Sequence, residues 1–256
     1  MTIGEIYSLI LAISGAAAAG VIGSFALMKR TVIAGDVMSH IAIPGLGLAV
    51  IWSINPLVGG GATLLLGSML IWHLEKKTTL STEAAIGVIF ASSVALGALL
   101  IGSNEELIDA LFGGFGSISA PEFAFGIAAS VAVIVAIWML KDKLIIGLFS
   151  PELASATKIN VGLLNLWFLL LFSLTILSGL RFLGALLAGA LIIVPASAAR
   201  QLTHSLGAFI FTSALLSVLS VVFGFLISRA YNLDLGPTVV VVAAGFFALS
   251  LLKKKV

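Results

Sequence analysis

The sequence predicts an all-α protein that crosses a membrane about nine times, and three observations support this fold class. Hydrophobic residues occupy 61% of the 256 positions and charged residues only 9%, whereas soluble domains carry roughly 25% charged residues. Apolar runs long enough to cross a bilayer as helices recur along the whole chain. Positive charges gather at alternate connections between these runs. Residues 1–256 are therefore expected to form one transmembrane domain.

Nine apolar runs are predicted as spans, and the first is expected to be retained because no positively charged segment precedes it. The runs cover residues 6–28, 36–54, 57–73, 83–101, 121–140, 161–180, 182–199, 205–228 and 236–252. The second and third runs are short, and three consecutive glycines stand at positions 59 to 61. Eight crossings with one re-entrant pair is therefore the alternative to nine.

Charge distribution predicts that the N-terminus is outside and the C-terminus inside. With this orientation, eleven Lys and Arg residues fall at inner connections and two at outer ones, which is the bias expected of membrane proteins. The inner residues are Lys29, Arg30, Lys76, Lys77, Lys141, Lys143, Lys158, Arg200, Lys253, Lys254 and Lys255, and the outer ones are Arg181 and Arg229. Removing one span would invert everything after it, so the pattern favours an odd number of crossings.

An acid and an imidazole stand four residues apart in the second predicted span. Positions i and i+4 share one face of a helix, so Asp36 and His40 can point at one object. Ionisable groups within a bilayer are costly, which makes the pair a candidate functional site. A carboxylate with an imidazole suits manganese, zinc or iron(II). The structural alternative is that Asp36 caps a helix and His40 is a satisfied core histidine.

Several kinds of chemistry are excluded or disfavoured by the sequence. The chain has no cysteine, so disulfides and thiolate ligands are excluded. It has no glycine-rich phosphate-binding loop of the Gly-x-x-x-x-Gly-Lys-Ser/Thr type, so it does not hydrolyse ATP by that route. His73 and His204 lie at predicted inner interfaces, and a serine at position 117 has no nearby histidine to activate it. The chain is therefore not expected to be an enzyme.

Two connections are longer than turns. The outer one, residues 102–121, carries Glu105, Glu106 and Asp109. These acids either attract cations to an outer mouth or form an ordinary solvated face.

The inner connection, residues 141–160, contains the start signal of a short helix. Ser150, Pro151 and Glu152 supply an N-cap, a proline at the first helical position and an acid in the first turn. Leu153 and Ala154 continue this short helix, which is expected either to dock a partner or to lie on the membrane surface.

Two sequence blocks make the chain resemble a known family. The pattern Gly-Asp-x-x-Ser-His-x-x-x-Pro-Gly at residues 35–45 and the block at residues 184–200 resemble the membrane-spanning subunit of ABC-type manganese/zinc/iron importers. The Leu-Phe-Gly at residues 111–113, the segment at residues 150–154 and the Gly-Pro at residues 236–237 fall in that family's order, so the resemblance covers the whole chain.

The resemblance implies a function and a set of partners. The chain would be the homodimeric permease of an importer that moves a divalent metal into the cytoplasm. A separate ATP-binding subunit dimer would bind inside, and an extracytoplasmic metal-binding protein would bind outside. Asp36 and His40 would contact the metal, and Ser150, Pro151, Glu152, Leu153 and Ala154 would belong to the helix that docks on the ATPase.

Two other readings remain open on the residues alone. A proton-coupled secondary transporter would use Asp36 and His40 as a proton relay. A membrane scaffold without transport activity would leave the pair without a role. The docking helix and the lack of an evident inverted repeat favour the ATP-driven importer.

Overall fold

The computed structural model describes residues 3–31, 33–101, 119–184 and 188–252, and all regular secondary structure within them is α-helical. The helices are α1 (Ile3–Met28), α2 (Ile33–Ile41), α3 (Ile43–Ile51), α4 (Pro56–Lys77), α5 (Thr82–Ile101), α6 (Ala120–Phe149), α7 (Pro151–Ala156), α8 (Val161–Leu183), α9 (Ala188–Leu202), α10 (Leu206–Tyr231) and α11 (Leu235–Leu251). The acids of the predicted outer connection and the C-terminal lysines lie outside the described residues.

The all-helical fold class is confirmed, and the predicted spans overlap these helices. Six helices in the described part of the chain are long and apolar enough to cross a membrane, namely α1, α4, α5, α6, α8 and α10. Three shorter apolar segments accompany them: Gly35–Ile51, Ala188–Leu202 and Leu235–Leu251. The count of nine crossings stays a prediction.

The second predicted span is interrupted, which the sequence interpretation missed. It consists of α2 and α3, which meet at Ala42. Pro44 has no N–H with which to bond the carbonyl of His40 one turn earlier, so the hydrogen-bond ladder breaks there. Ala42 keeps a helical backbone (φ −69°, ψ −25°) and its carbonyl accepts from Leu46 at 3.0 Å. The backbone therefore stays helical through Ala42, but the hydrogen bond that would join Pro44 to His40 is missing between α2 and α3.

Two further helix ends differ from the predicted boundaries. Helix α6 continues to Phe149, so Lys141 and Lys143 lie on the helix and not in a connection. Lysine stems can lie along apolar surface, and Lys141 Nζ sits 4.0 Å from the centre of the Trp138 ring. Helix α8 continues past residue 180 and is capped by Gly184, whose φ of 76° favours glycine.

Helix α1 is the centre of the bundle, with α6, α8, α9 and α10 packed around it. Small residues permit this close packing. A Cβ on Gly20 would lie 2.5 Å from Ala214 Cα of α10. The Ser213 hydroxyl crosses the same contact and donates to the Gly20 carbonyl at 2.6 Å.

Helices α4 and α8 are joined in the middle of the bundle by two buried serines. The hydroxyl oxygens of Ser68 and Ser173 lie 2.6 Å apart, and each hydroxyl also lies within hydrogen-bond distance of the Leu64 carbonyl. Hydrocarbon offers no water to replace such a bond.

We predict that Ser68→Ala lowers the free energy of unfolding by about 0.6–1.5 kcal/mol, the range for a buried hydroxyl bond between membrane helices. Equilibrium unfolding in mixed SDS and detergent micelles would measure it. The matched control is Ser92→Ala on the exposed side of α5, where the hydroxyl bonds only the Val88 carbonyl of its own helix. Equal losses in the two variants would contradict the role of the serine pair.

Candidate metal-contacting site on α2

Asp36 and His40 lie one turn apart on α2, as their spacing predicted. Asp36 is exposed and His40 is half-buried. The serine of the same motif has a structural part: the Ser39 hydroxyl is buried and donates to the Gly35 carbonyl at 2.9 Å. The two candidate ligands therefore stand at an accessible side of α2, while Ser39 lies on its buried side.

A hydrogen bond fixes the orientation of the His40 ring. Its Nδ1 lies 2.8 Å from the backbone carbonyl oxygen of Asp36. A carbonyl oxygen only accepts, so Nδ1 carries the proton and donates. Nε2 of the neutral ring is then left with its lone pair, the form in which imidazole binds metals. A metal-binding histidine is commonly supported in this way by a second-shell carbonyl.

The bond also separates the roles of the two groups of Asp36. Its backbone carbonyl holds the histidine, and its carboxylate stays exposed one turn away from the ring. His40 is half-buried, and its Nδ1 is satisfied within α2. The metal-contacting role of the pair stays a prediction.

Helix α5 supports the other side of the ring. Phe90 meets the His40 imidazole nearly edge to face, with ring centres 5.3 Å apart and planes at 82°. The sequence interpretation did not include Phe90, because an apolar residue in an apolar helix carries no local signal for such a contact.

Helix α9 lies against α2 at the start of the motif. A Cβ on Gly189 would come within 2.4 Å of the Gly35 carbonyl oxygen and 2.8 Å of Asp36 Cα. A side chain larger than hydrogen would therefore displace the backbone that carries Asp36. The two sequence blocks that carried the family resemblance thus meet at this crossing.

Asp36 and His40 are the two candidate donors on α2. No group of three or more His, Cys, Asp or Glu residues suited to a metal is present among the residues that the structure describes. His73 and His204 are both exposed and lie outside this site.

The predicted docking helix is present as α7. Ser150 caps it, since its hydroxyl accepts from the Leu153 backbone N–H at 3.3 Å, and Pro151 is its first residue. Ala154 is buried, whereas Glu152 and Leu153 are exposed. The helix therefore presents a leucine and an acid on its open side.

Comparison with known proteins places the chain in a family. Residues 6–254 match the ABC 3 transport family. The chain is 30% identical over 246 residues to the manganese import system permease protein ScaB of Streptococcus parasanguinis, covering 95% of this chain and 88% of the relative. It is also 30% identical over 240 residues to the high-affinity zinc uptake system membrane protein ZnuB of Buchnera aphidicola subsp. Baizongia pistaciae, covering 92% of each.

A solved structure shares the fold. PsaBC from Streptococcus pneumoniae in complex with Fab contains a chain with a TM-score of 0.85 and 27% sequence identity. The match covers 98% of this chain and 92% of that one. Because the family match extends over nearly every residue, the chain belongs to the ABC 3 transport family.

Proposed function

We propose that the chain is the permease subunit of an ABC importer for a divalent transition metal: manganese, zinc or iron. The support is the family membership together with relatives named for manganese import and for zinc uptake. The observation that carries the proposal is the pair on α2, where an oriented imidazole nitrogen and an exposed carboxylate share one helix side. The metal is the cargo of this site and not a resident cofactor.

The proposed mechanism follows from the donor set. A carboxylate and a neutral imidazole accept any of the three metals. Two ligands hold a metal weakly, which suits a path through which ions must leave as readily as they enter. If two copies pair across a two-fold axis beside α2, the path gains two carboxylates and two imidazoles.

The proposed assembly is a homodimer in the cell membrane with its N-terminus outside and nine crossings. Two copies of a separate ATP-binding subunit bind at the cytoplasmic face through α7, and an extracytoplasmic metal-binding protein delivers the cargo. The chain has no phosphate-binding loop of its own, so ATP is hydrolysed by the partner. Nothing in the family match favours the proton-coupled alternative.

The decisive test is metal accumulation in proteoliposomes that contain the chain, its ATPase and its binding protein. Manganese, zinc and iron are offered together, and lumenal metal is read by mass spectrometry. We expect ATP-dependent import that Asp36→Ala abolishes, because the variant lacks the carboxylate, while assembly is kept. The control is Asp234→Ala, an exposed acid whose side chain does not bond its helix terminus. Import that follows a proton gradient and ignores ATP would sink the proposal.

A second prediction concerns α7. Leu153 is 50% exposed on this helix, so Leu153→Asp should abolish copurification of the ATPase by placing a charge in an apolar contact. Metal binding by the permease should be unchanged. The control is Leu80→Asp, which alters a leucine 42% exposed in the α4–α5 connection, on the same predicted side. Full copurification with Leu153→Asp would argue against α7 as the docking element.

A third prediction concerns the crossing of α2 and α9. Gly189→Ala should reduce metal import roughly 10–100-fold, the scale found when support of a metal ligand is lost, because its methyl group pushes on the backbone at Asp36. Gly245→Ala on α11 is the control, since a Cβ there meets nothing within 4 Å. Import at the wild-type rate in Gly189→Ala would show that the crossing does not set the position of Asp36.

A further inference from the structure

Four polar side chains join the ends of four helices at one side of the bundle. This group, the polar clamp, consists of Lys29 after α1, Glu75 in the last turn of α4, Thr82 at the start of α5 and Asn165 in α8. Asn165 Nδ2 donates to Glu75 Oε2 at 2.6 Å, and Lys29 Nζ donates to Asn165 Oδ1. The Thr82 hydroxyl donates to Glu75 Oε1. Asn165 is thus the hub between a cation and an acid.

The clamp holds an ammonium group in poor contact with water. Burial lowers the pKa of Lys29 to about 8, and the nearby Glu75 carboxylate opposes the shift. Lys29 Nζ also lies 4.6 Å from the centre of the Phe168 ring on α8. Burying a charge is costly unless it is paired and hydrogen-bonded. Asn165 and Glu75 supply that pairing.

The clamp borders a cavity of about 790 Å³ between the two segments that precede and follow α7 in the chain. One wall is the end of α6, with Leu144 and Gly147, and another is the start of α8, with Asn160. These two segments flank α7 in sequence. Thr31 also lines the cavity, and its hydroxyl oxygen is buried with no hydrogen-bond partner among the described residues. Asn165 also lines this cavity. Through its bonds to Lys29 and Glu75, it joins the start of α8 to the ends of α1 and α4.

Two connections lead from Asn165 towards the candidate metal pair, one along the chain and one through side-chain contacts. The first passes through Lys29, which precedes Asp36 by seven residues along the chain. The second passes through Glu75 and Thr82 into α5, which carries Phe90 against the His40 ring. Coupling between distant sites is carried by such connected networks when they bias an element with two arrangements.

We propose that Asn165 is a positioning residue for transport: it transmits movement of α7 and the start of α8 to α2, which carries Asp36 and His40, and to α5, which supports the His40 ring. This inference rests on the proposed function, because it takes α7 as the ATPase docking helix. Loss of the clamp then allows the ATPase to turn over without moving the metal path.

The test compares Asn165→Leu with wild type in the complete reconstituted transporter. Leucine is similar in size and makes neither hydrogen bond. We expect the number of metal ions imported per ATP hydrolysed to fall at least about fivefold, the low end of typical coupling between sites. Copurification of the ATPase should be retained. An unchanged ratio would overturn the proposal.

The matched control is Ser68→Ala, which also removes a polar contact between α4 and α8 but in the middle of the bundle. It should lower stability and leave the ratio unchanged. An equal fall in the ratio with Ser68→Ala would show that general loosening, not the clamp, is responsible. If Asn165→Leu does not assemble, Thr82→Val removes only the bond to Glu75 and should give a smaller fall.

A second readout does not depend on transport. Hydrogen exchange of the full chain in nanodiscs should rise in residues 33–41 for Asn165→Leu and stay at the wild-type level there for Ser68→Ala. If exchange in residues 33–41 is unchanged in Asn165→Leu, the positioning role of Asn165 is contradicted, even where the wild-type protein imports metal with ATP. If exchange rises in Asn165→Leu but the wild-type protein shows no ATP-dependent import, the link between Asn165 and α2 is supported and the proposed function is contradicted.

Discussion

Hydrocarbon supplies no hydrogen-bond partner, so polar groups within the apolar helices must be satisfied by the protein itself. Ser39 does so through the carbonyl one turn before it, and Ser68 and Ser173 do so through each other. His40 follows the same rule, because its Nδ1 bonds the Asp36 carbonyl. The hydrogen bond that satisfies Nδ1 internally leaves Nε2 as the ring nitrogen available to the proposed cargo metal. The internal hydrogen bond of the His40 ring thus follows from the lack of water in hydrocarbon.

The same constraint explains why the pair stands on a short helix. Pro44 breaks the ladder between α2 and α3, so α2 is held mainly by its neighbours. Helix α9 supports it through the approach of Gly189 to Gly35, and α5 supports it through Phe90. A segment held by side contacts responds to movements of those neighbours more readily than the middle of an unbroken helix. This gives the proposed metal path a means of opening without unfolding a long span.

Hydropathy and helical spacing could predict most of the helices and the shared side of Asp36 and His40, since both depend on neighbouring residues in the sequence. The break at Ala42 was missed because the run around Pro44 is apolar throughout. The end of α6 was placed too early because Lys141 was taken as the start of a connection, although it lies on the helix with its ammonium group over the Trp138 ring. The bond between Asn165 and Glu75 joins positions 90 residues apart, and nothing local in the sequence indicates it.

A site of this composition has consequences for selectivity. Oxygen and imidazole nitrogen donors bind zinc more strongly than manganese or iron(II), so affinity alone at Asp36 and His40 would favour zinc. Yet the relatives include one named for manganese import and another named for zinc uptake. The proposed path is compatible with both names, because a weak site passes whichever divalent metal is delivered to it. Under this proposal, discrimination between metals lies in the protein that delivers the cargo, and the weak site in the permease favours release.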